Sequence, residues 1–207
     1  MPPATPRPAA SLILLRDTAG GPEVLLGRRQ VSAAAFPDVF VFPGGKVEPG
    51  DAEAEARAGF PAGLVPAPPG TAHAALRETF EEAGIWLGAD GAPATFPQAP
   101  GIGRLSAYAH WVTPETRAYR FDTWFFIARA EAGEARTALT GDEFESLAWW
   151  APARMLEAPN TALLPPTRHS LERLVRHGSL AATFAEARSA GVFEPGEAEL
   201  RWAAARV

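Results

Sequence analysis

The sequence predicts an α/β protein, an α/β/α sandwich around a mixed sheet with a C-terminal helical extension. Two observations carry this. Short apolar and aromatic runs precede one amphipathic segment, Thr71 to Ala83, and resume after it, so strands flank a helix in chain order. From about Ala151 the texture turns helical and stays so, which offers cover for a second face.

The first strand is read at Ser11 to Arg16 and ends at the turn-forming DTAGGP; Glu23 to Arg29 follows as its hairpin partner. A third strand, Val39 to Phe42, stops at Pro43-Gly44-Gly45. The stretch from Ala52 to Gly70 is rich in Ala, Pro and Gly. Its start, AEAEARAGF, could form a short helix, but repeated prolines interrupt the rest, so the whole is read as an inserted surface loop. Thr71 offers an N-cap for a helix through Ala83, with Gly84 as its stop and Ala72, Leu76, Phe80 and Ala83 as its apolar stripe. RLSAYAHWVTP and RFDTWFFIARA read as two strands joined by a proline-containing turn, and FESLAWW as a further short strand. Four helical segments complete the chain: APARMLE, TRHSLERLVRHG, SLAATFAEARSAG and EPGEAELRWAAARV. The organisation expected is a flexible leader over 1–8, one domain over 9–155 with an insertion at about 52–70, and a helical extension over 156–207 packed on the same domain.

Bulk properties narrow the function. The 207 residues suit one domain with an elaboration, and 47% apolar residues are ample for a core. A net charge of −5 argues against nucleic acid as the partner but not against nucleotides, because a bound cation can supply positive charge locally. The absence of cysteine excludes disulfides, thiolate catalysis and thiolate zinc sites. No apolar run approaches a membrane span, and MPPATPRPAA lacks the apolar core of a signal peptide, so a soluble, cytoplasmic protein with no membrane partner is expected. A homodimer is left open.

The chemistry concentrates in RETFEEAG, Arg77 to Gly84. On a helix Glu78 lies beside both Glu81 and Glu82, and each such like-charge pair costs about 0.2–0.5 kcal/mol. Arg77 can offset part of this through its i,i+4 relation to Glu81, but not all of it. A divalent cation is the missing partner. FPGGK adds a glycine pair at a strand end, where backbone can approach closely, and VEPGD adds Glu48 and Asp51. Oxygen-rich clusters of this kind suit magnesium or manganese, and hydrolysis of a phosphoanhydride is the reaction such a site serves best.

GGKVEPGD followed by RETFEEAGI resembles the Nudix box: Gly, five residues, Glu, seven residues, then Arg-Glu-apolar-any-Glu-Glu-any-Gly-apolar. Arg77, Glu78, Glu81, Glu82, Gly84 and Ile85 are in register, with Thr79 at the apolar position. Asp51 stands where the pattern has Glu, and 25 residues rather than seven separate it from Arg77. A longer loop there costs little closure entropy. The interrupted box, together with VFPGGKV, HWVTPETRAYRFDTWFFIA and LLPPTRHSLERL, is similar to the acyl-CoA-diphosphatase-like branch of the superfamily, the peroxisomal nineteenth type. The upstream signature of bacterial CoA pyrophosphatases is half present. Leu25, Leu26 and Arg29 are kept, while Ala34 and Asp38 occupy its second Arg and its Gly.

The resemblance implies a Nudix fold and a metal-dependent hydrolase that cleaves a nucleoside diphosphate derivative. CoA or acyl-CoA leads as substrate, and ADP-ribose or NADH is the alternative. It implies that Glu78, Glu81 and Glu82 hold Mg2+ or Mn2+ with a carbonyl of Gly44 or Gly45, and that Arg77 orients the carboxylates. The general base is either Glu78 or Glu143, and Arg28 and Arg29 either contact phosphate or are solvated or ion-paired. Asp51 is expected to support the site rather than to ligate. A non-catalytic nucleotide-binding module is the rival reading, although such modules usually lose box carboxylates, and all three are kept here.

Overall fold

The computed structural model describes residues 3–58, 66–87, 104–131, 142–159, 161–197 and 199–200. Seven strands form one mixed sheet: β1 (Arg7–Thr18), β2 (Gly21–Arg29), β3 (Phe40–Val41), β4 (Gly44–Lys46), β5 (Ser106–Val112), β6 (Phe121–Arg129) and β7 (Phe144–Trp150). The main path runs β3-β2-β1-β6-β5, with β4 paired to β1 and β7 to β2. Only the β1–β6 pairing is parallel among these ladders; it runs from Arg7 opposite Phe121 to Leu15 opposite Arg129. Among the described residues the helices are α1 (Asp51–Arg57), α2 (Thr71–Ala83), α3 (Pro152–Glu157), α4 (Pro165–His177) and α5 (Leu180–Ser189).

The period-two alternation of β1 divides the core. Leu12 and Leu14 face a cluster built with Ala72, Ala75, Leu76 and Ala83 of α2. Ile13 and Leu15 face the opposite cluster, built with Met155 of α3, Leu171 and Leu174 of α4, and Leu180 and Ala187 of α5. Helices therefore pack on both faces, as predicted, and α3–α5 complete the second core. The last predicted helix, EPGEAELRWAAARV, lies largely outside the described residues. No described helix is long and apolar enough to cross a membrane.

Four expectations are corrected. β1 begins at Arg7 rather than Ser11, because the parallel ladder with β6 extends to the chain's seventh residue; Arg7 and Pro8, read as leader, belong to the sheet. Gly44 and Gly45 do not merely end a strand. With Lys46 they form β4, paired to Ala9–Ser11. The start of the segment read as a surface loop is α1, whose Asp51, Ala54 and Glu55 are buried against α2.

The third correction explains the N-terminus of α2. Thr71 does not cap it; its hydroxyl donates to Pro68 O at 2.7 Å, and Gly70 occupies the cap position in left-handed conformation with φ 88°. The acceptor comes instead from α1: Glu55 Oε2 accepts from Ala72 N–H at 3.1 Å and from His73 N–H at 3.2 Å. Burial raises the Glu55 carboxyl above its ordinary value, even though these N–H groups favour the charge. Glu55→Ala orphans both donors and is expected to cost about 1–2 kcal/mol in urea unfolding, with Glu55→Gln, which keeps an acceptor oxygen, costing less. Equal midpoints for Glu55→Ala and wild type would show that α2 does not depend on this contact.

Candidate active site

α2 delivers the acidic side chains to the edge strand β4. Its C-terminus is closed by Gly84 in left-handed conformation (φ 64°), whose N–H donates to Phe80 O at 2.9 Å. Thr79, polar where the box pattern is apolar, is buried with its hydroxyl bonded to Ala75 O at 2.7 Å, so the substitution leaves no orphan in the core.

Arg77 organises the centre with five hydrogen bonds. Its Nε and Nη2 hold Asp51 Oδ1 and Oδ2 at 3.1 and 3.0 Å, and Nη2 also reaches Lys46 O at 3.0 Å. Its Nη1 holds Glu78 Oε1 at 2.9 Å and Glu81 Oε2 at 3.3 Å. This web raises the Arg77 pKa; burial opposes the charge and the carboxylates outweigh it. Asp51 is itself almost fully enclosed. It takes His73 Nδ1 at 2.7 Å and Glu48 N–H at 2.7 Å in addition to Arg77. Burial works against its charge, but the bonds from Arg77, Glu48 N–H and His73 prevail and hold the carboxyl below its ordinary value. The residue at the displaced acidic position of the box is thus the anchor of Arg77.

Glu82 is the most deeply set of the three glutamates. Its Oε2 accepts from Gly44 N–H at 2.9 Å, whereas its Oε1 is buried with no hydrogen-bond partner among the described residues. Burial pushes its carboxyl up to about 9, opposed by Gly44 N–H and reinforced by Glu78 and Glu143. Burial also raises Glu78 despite Arg77. Glycine is required at Gly44, and a side chain at Gly45 would displace the Glu78 carboxylate. A Cβ on Gly45 would meet the Glu78 carboxylate, and one on Gly44 would meet the Ala10 carbonyl and Ser11. Among the described residues no three acidic or imidazole groups converge at ligand distance, because Arg77 and Gly44 N–H each hold carboxylates in place. The donor set nevertheless fits a hard cation: carboxyl oxygens, one of them buried without a partner, beside a backbone with no side chain in the way.

An open cleft of about 810 Å³ lies beside this centre, and the structure brings to it Arg29, Gly44, Gly45, Arg77, Glu78, Glu81 and Glu143. Glu143 precedes β7, whose Phe144 pairs with Arg29 of β2, and Glu143 Oε2 sits 3.4 Å from Arg29 Nη1. Arg28 is not brought to the cleft. Adjacent strand residues face opposite ways, and its guanidinium pairs with Asp38 at 2.7 Å and Glu145 at 3.6 Å. The floor is the sheet itself, with β4, β1, β6 and β5 side by side over about 14 Å. Small side chains, Ala9, Ser11 and Thr123, make the depression, and Trp111, Phe121 and Phe125 close its far side. These rings and Arg7 were missed as site residues. Only the alternation in the β6 run, read against its pairing with β1, could have revealed them.

No family model matches the chain. It is 28% identical over 261 residues to acyl-coenzyme A diphosphatase NUDT19 of Gallus gallus, covering 84% of this chain and 69% of that protein. It is 27% identical over 228 residues to the NUDT19 of Xenopus laevis, covering 73% of this chain and 59% of the relative. Its structure is similar to the crystal structure of a NUDIX hydrolase from Alicyclobacillus acidocaldarius, with a TM-score of 0.74 and 28% identity, covering 88% of this chain and 96% of the other.

Proposed function

We propose that the chain, similar along most of its length to Nudix diphosphatases, is a hydrolase of acid anhydrides that cleaves the diphosphate bridge of a nucleoside diphosphate derivative, with CoA or an acyl-CoA as substrate. The observation that carries this is the partnerless, buried Glu82 Oε1, whose carboxyl is bonded to Gly44 N–H, behind the Gly44-Gly45 backbone that lines the cleft with Glu78 and Glu81. Glu78, Glu81 and Glu82 would hold Mg2+ or Mn2+, with a carbonyl of Gly44 or Gly45. When bound, such a cation polarises a phosphoryl oxygen and acidifies the attacking water.

The chain's own groups supply the rest. Arg77 fixes Glu78 and Glu81 so that neither must be ordered when substrate arrives. Water attacks phosphorus, the bridging P–O bond breaks, and the water's proton passes to Glu78 or Glu143. The Arg29–Glu143 pair links substrate binding to that step. A diphosphate competes for the Arg29 guanidinium, and each contact that Arg29 makes to phosphate leaves Glu143 freer to accept a proton. CoA is favoured by the likeness to acyl-coenzyme A diphosphatases along most of the chain. ADP-ribose or NADH is the second reading, supported by Ala34 and Asp38 at positions where the CoA signature has Arg and Gly.

A panel of CoA, acyl-CoAs, ADP-ribose, NADH and diadenosine polyphosphates with Mg2+ or Mn2+ tests the proposal. Metal-dependent conversion of CoA to adenosine 3′,5′-bisphosphate and phosphopantetheine, faster than ADP-ribose or NADH cleavage, is expected. No phosphorus product from any member would favour a non-catalytic nucleotide-binding module.

A further inference from the structure

Arg7 and Lys46 face the cleft from adjacent strands, and neither has an acidic partner at ion-pair distance among the described residues. Arg29 and Arg77 are already engaged, by Glu143 and by Asp51, Glu78 and Glu81. Unpaired cations on a surface are ordinary; the placement of Arg7 is not. Its backbone N–H is fixed to Arg120 O at 3.0 Å, and its Cα is paired with Phe121 of β6. Lys46 lies opposite Ala9, two residues further along β1, and so next to the Gly45–Glu78 contact.

Phe121 in turn meets Phe36, with ring centroids 6.3 Å apart and planes inclined at 51°. Phe36 and Asp38 both adopt left-handed backbone, with φ of 49° and 55°, and Asp38 is tied down by Arg28. That region is unfavourable for a bulky residue. The fold therefore bears strain to hold a ring at this rim. Crossing the floor from rim to centre, one meets the ring pair, then Arg7, then Lys46, then the carboxylates. A nucleobase placed against Phe36 and Phe121 would have its ribose beside Arg7 and its diphosphate directed toward Lys46 and the glutamates.

Resting on the diphosphatase reading above, we propose that Arg7 determines specificity by binding a phosphate monoester on the substrate's ribose. CoA carries such a group at the 3′ position and NADPH at the 2′ position; dephospho-CoA and NADH lack it. The test compares kcat/KM for CoA against dephospho-CoA, and for NADPH against NADH, in wild type, Arg7→Gln and Arg7→Lys, each with Mn2+. Wild type is expected to favour the phosphorylated member by about tenfold or more, the size of a charge-assisted hydrogen bond. In Arg7→Gln that ratio falls toward one through a higher KM for the phosphorylated member, and Arg7→Lys recovers part of it. A fall in the CoA pair assigns the contact to a 3′-phosphate, and a fall in the NADPH pair to a 2′-phosphate. A wild-type ratio near one, or the same ratio in Arg7→Gln, overturns the role of Arg7 while leaving the hydrolase reading standing. Failure of wild type to cleave any of the four overturns both.

Discussion

Glu82→Gln is expected to lower metal-dependent turnover by about a thousandfold while the protein stays folded and melts no lower than wild type. The two halves of this expectation come from one geometry. The amide oxygen can still accept from Gly44 N–H, so β4 keeps its hold on α2. The amide nitrogen replaces Oε1, which has no partner among the described residues, and faces the neighbouring Glu78 and Glu143 carboxylates, which can accept from it. A carboxyl whose charge is opposed by burial is thereby exchanged for a neutral group of the same shape. What disappears is the charged oxygen available to a cation. Thermal unfolding with and without Mn2+ separates the terms, because a ligand that binds only the folded state raises its melting temperature by mass action. Added Mn2+ should raise the wild-type midpoint and raise that of the variant much less. Near-wild-type turnover would remove Glu82 from the cation site, and a fall in the metal-free midpoint would make its role structural.

The acidic centre was legible in sequence because its chemistry is local. Glu78, Glu81 and Glu82 are set on adjoining turns by the helical repeat of α2, and Gly84 marks the helix end, although no three acidic groups among the described residues converge at ligand distance. The glycine pair was legible as a site of close approach, but not as a strand, because three residues carry no periodicity and β4 exists only by pairing to β1. Glu55 shows the limit of cap signals. Thr71 stands where a capping side chain belongs, yet the acceptor comes from a carboxylate 17 residues earlier in the chain, on a helix hidden in proline-rich sequence. Arg28 and Arg29 are indistinguishable as neighbours in a sequence, and only strand alternation separates the one in the cleft from the one outside it. The aromatic side of the cleft depends on the parallel register of β1 with β6, a contact across more than a hundred residues that no local pattern encodes.

Asp51→Asn is expected to reduce both stability and turnover, because this carboxylate, together with Glu55, ties α1 to α2 and alone holds Arg77 from that side. Asp51 is 3% exposed and accepts from Arg77, His73 and Glu48 N–H, joining the start of α1 to the middle of α2. Removing its charge leaves Arg77 largely buried and short of its best counter-ion, which costs about 3 kcal/mol or more. The linkage has a definite sign. The folded-state pKa of Asp51 lies below its ordinary value of 3.8, so its contribution is fully present above that pH and is lost as pH falls through the lower folded value. Stability curves of wild type and Asp51→Asn should therefore run apart at neutral pH and converge in acid below about pH 3.8. Turnover should fall through kcat, since Arg77 then holds Glu78 and Glu81 without a fixed base of its own. Asp51→Glu, which restores the residue of the uninterrupted box, keeps the charge but adds a methylene in an enclosed site. It should recover part of the neutral-pH stability and little of the packing. Parallel curves for wild type and Asp51→Asn across the acid range would show that the carboxylate does not anchor Arg77, and the Glu55 contacts would then be left as the tether between α1 and α2.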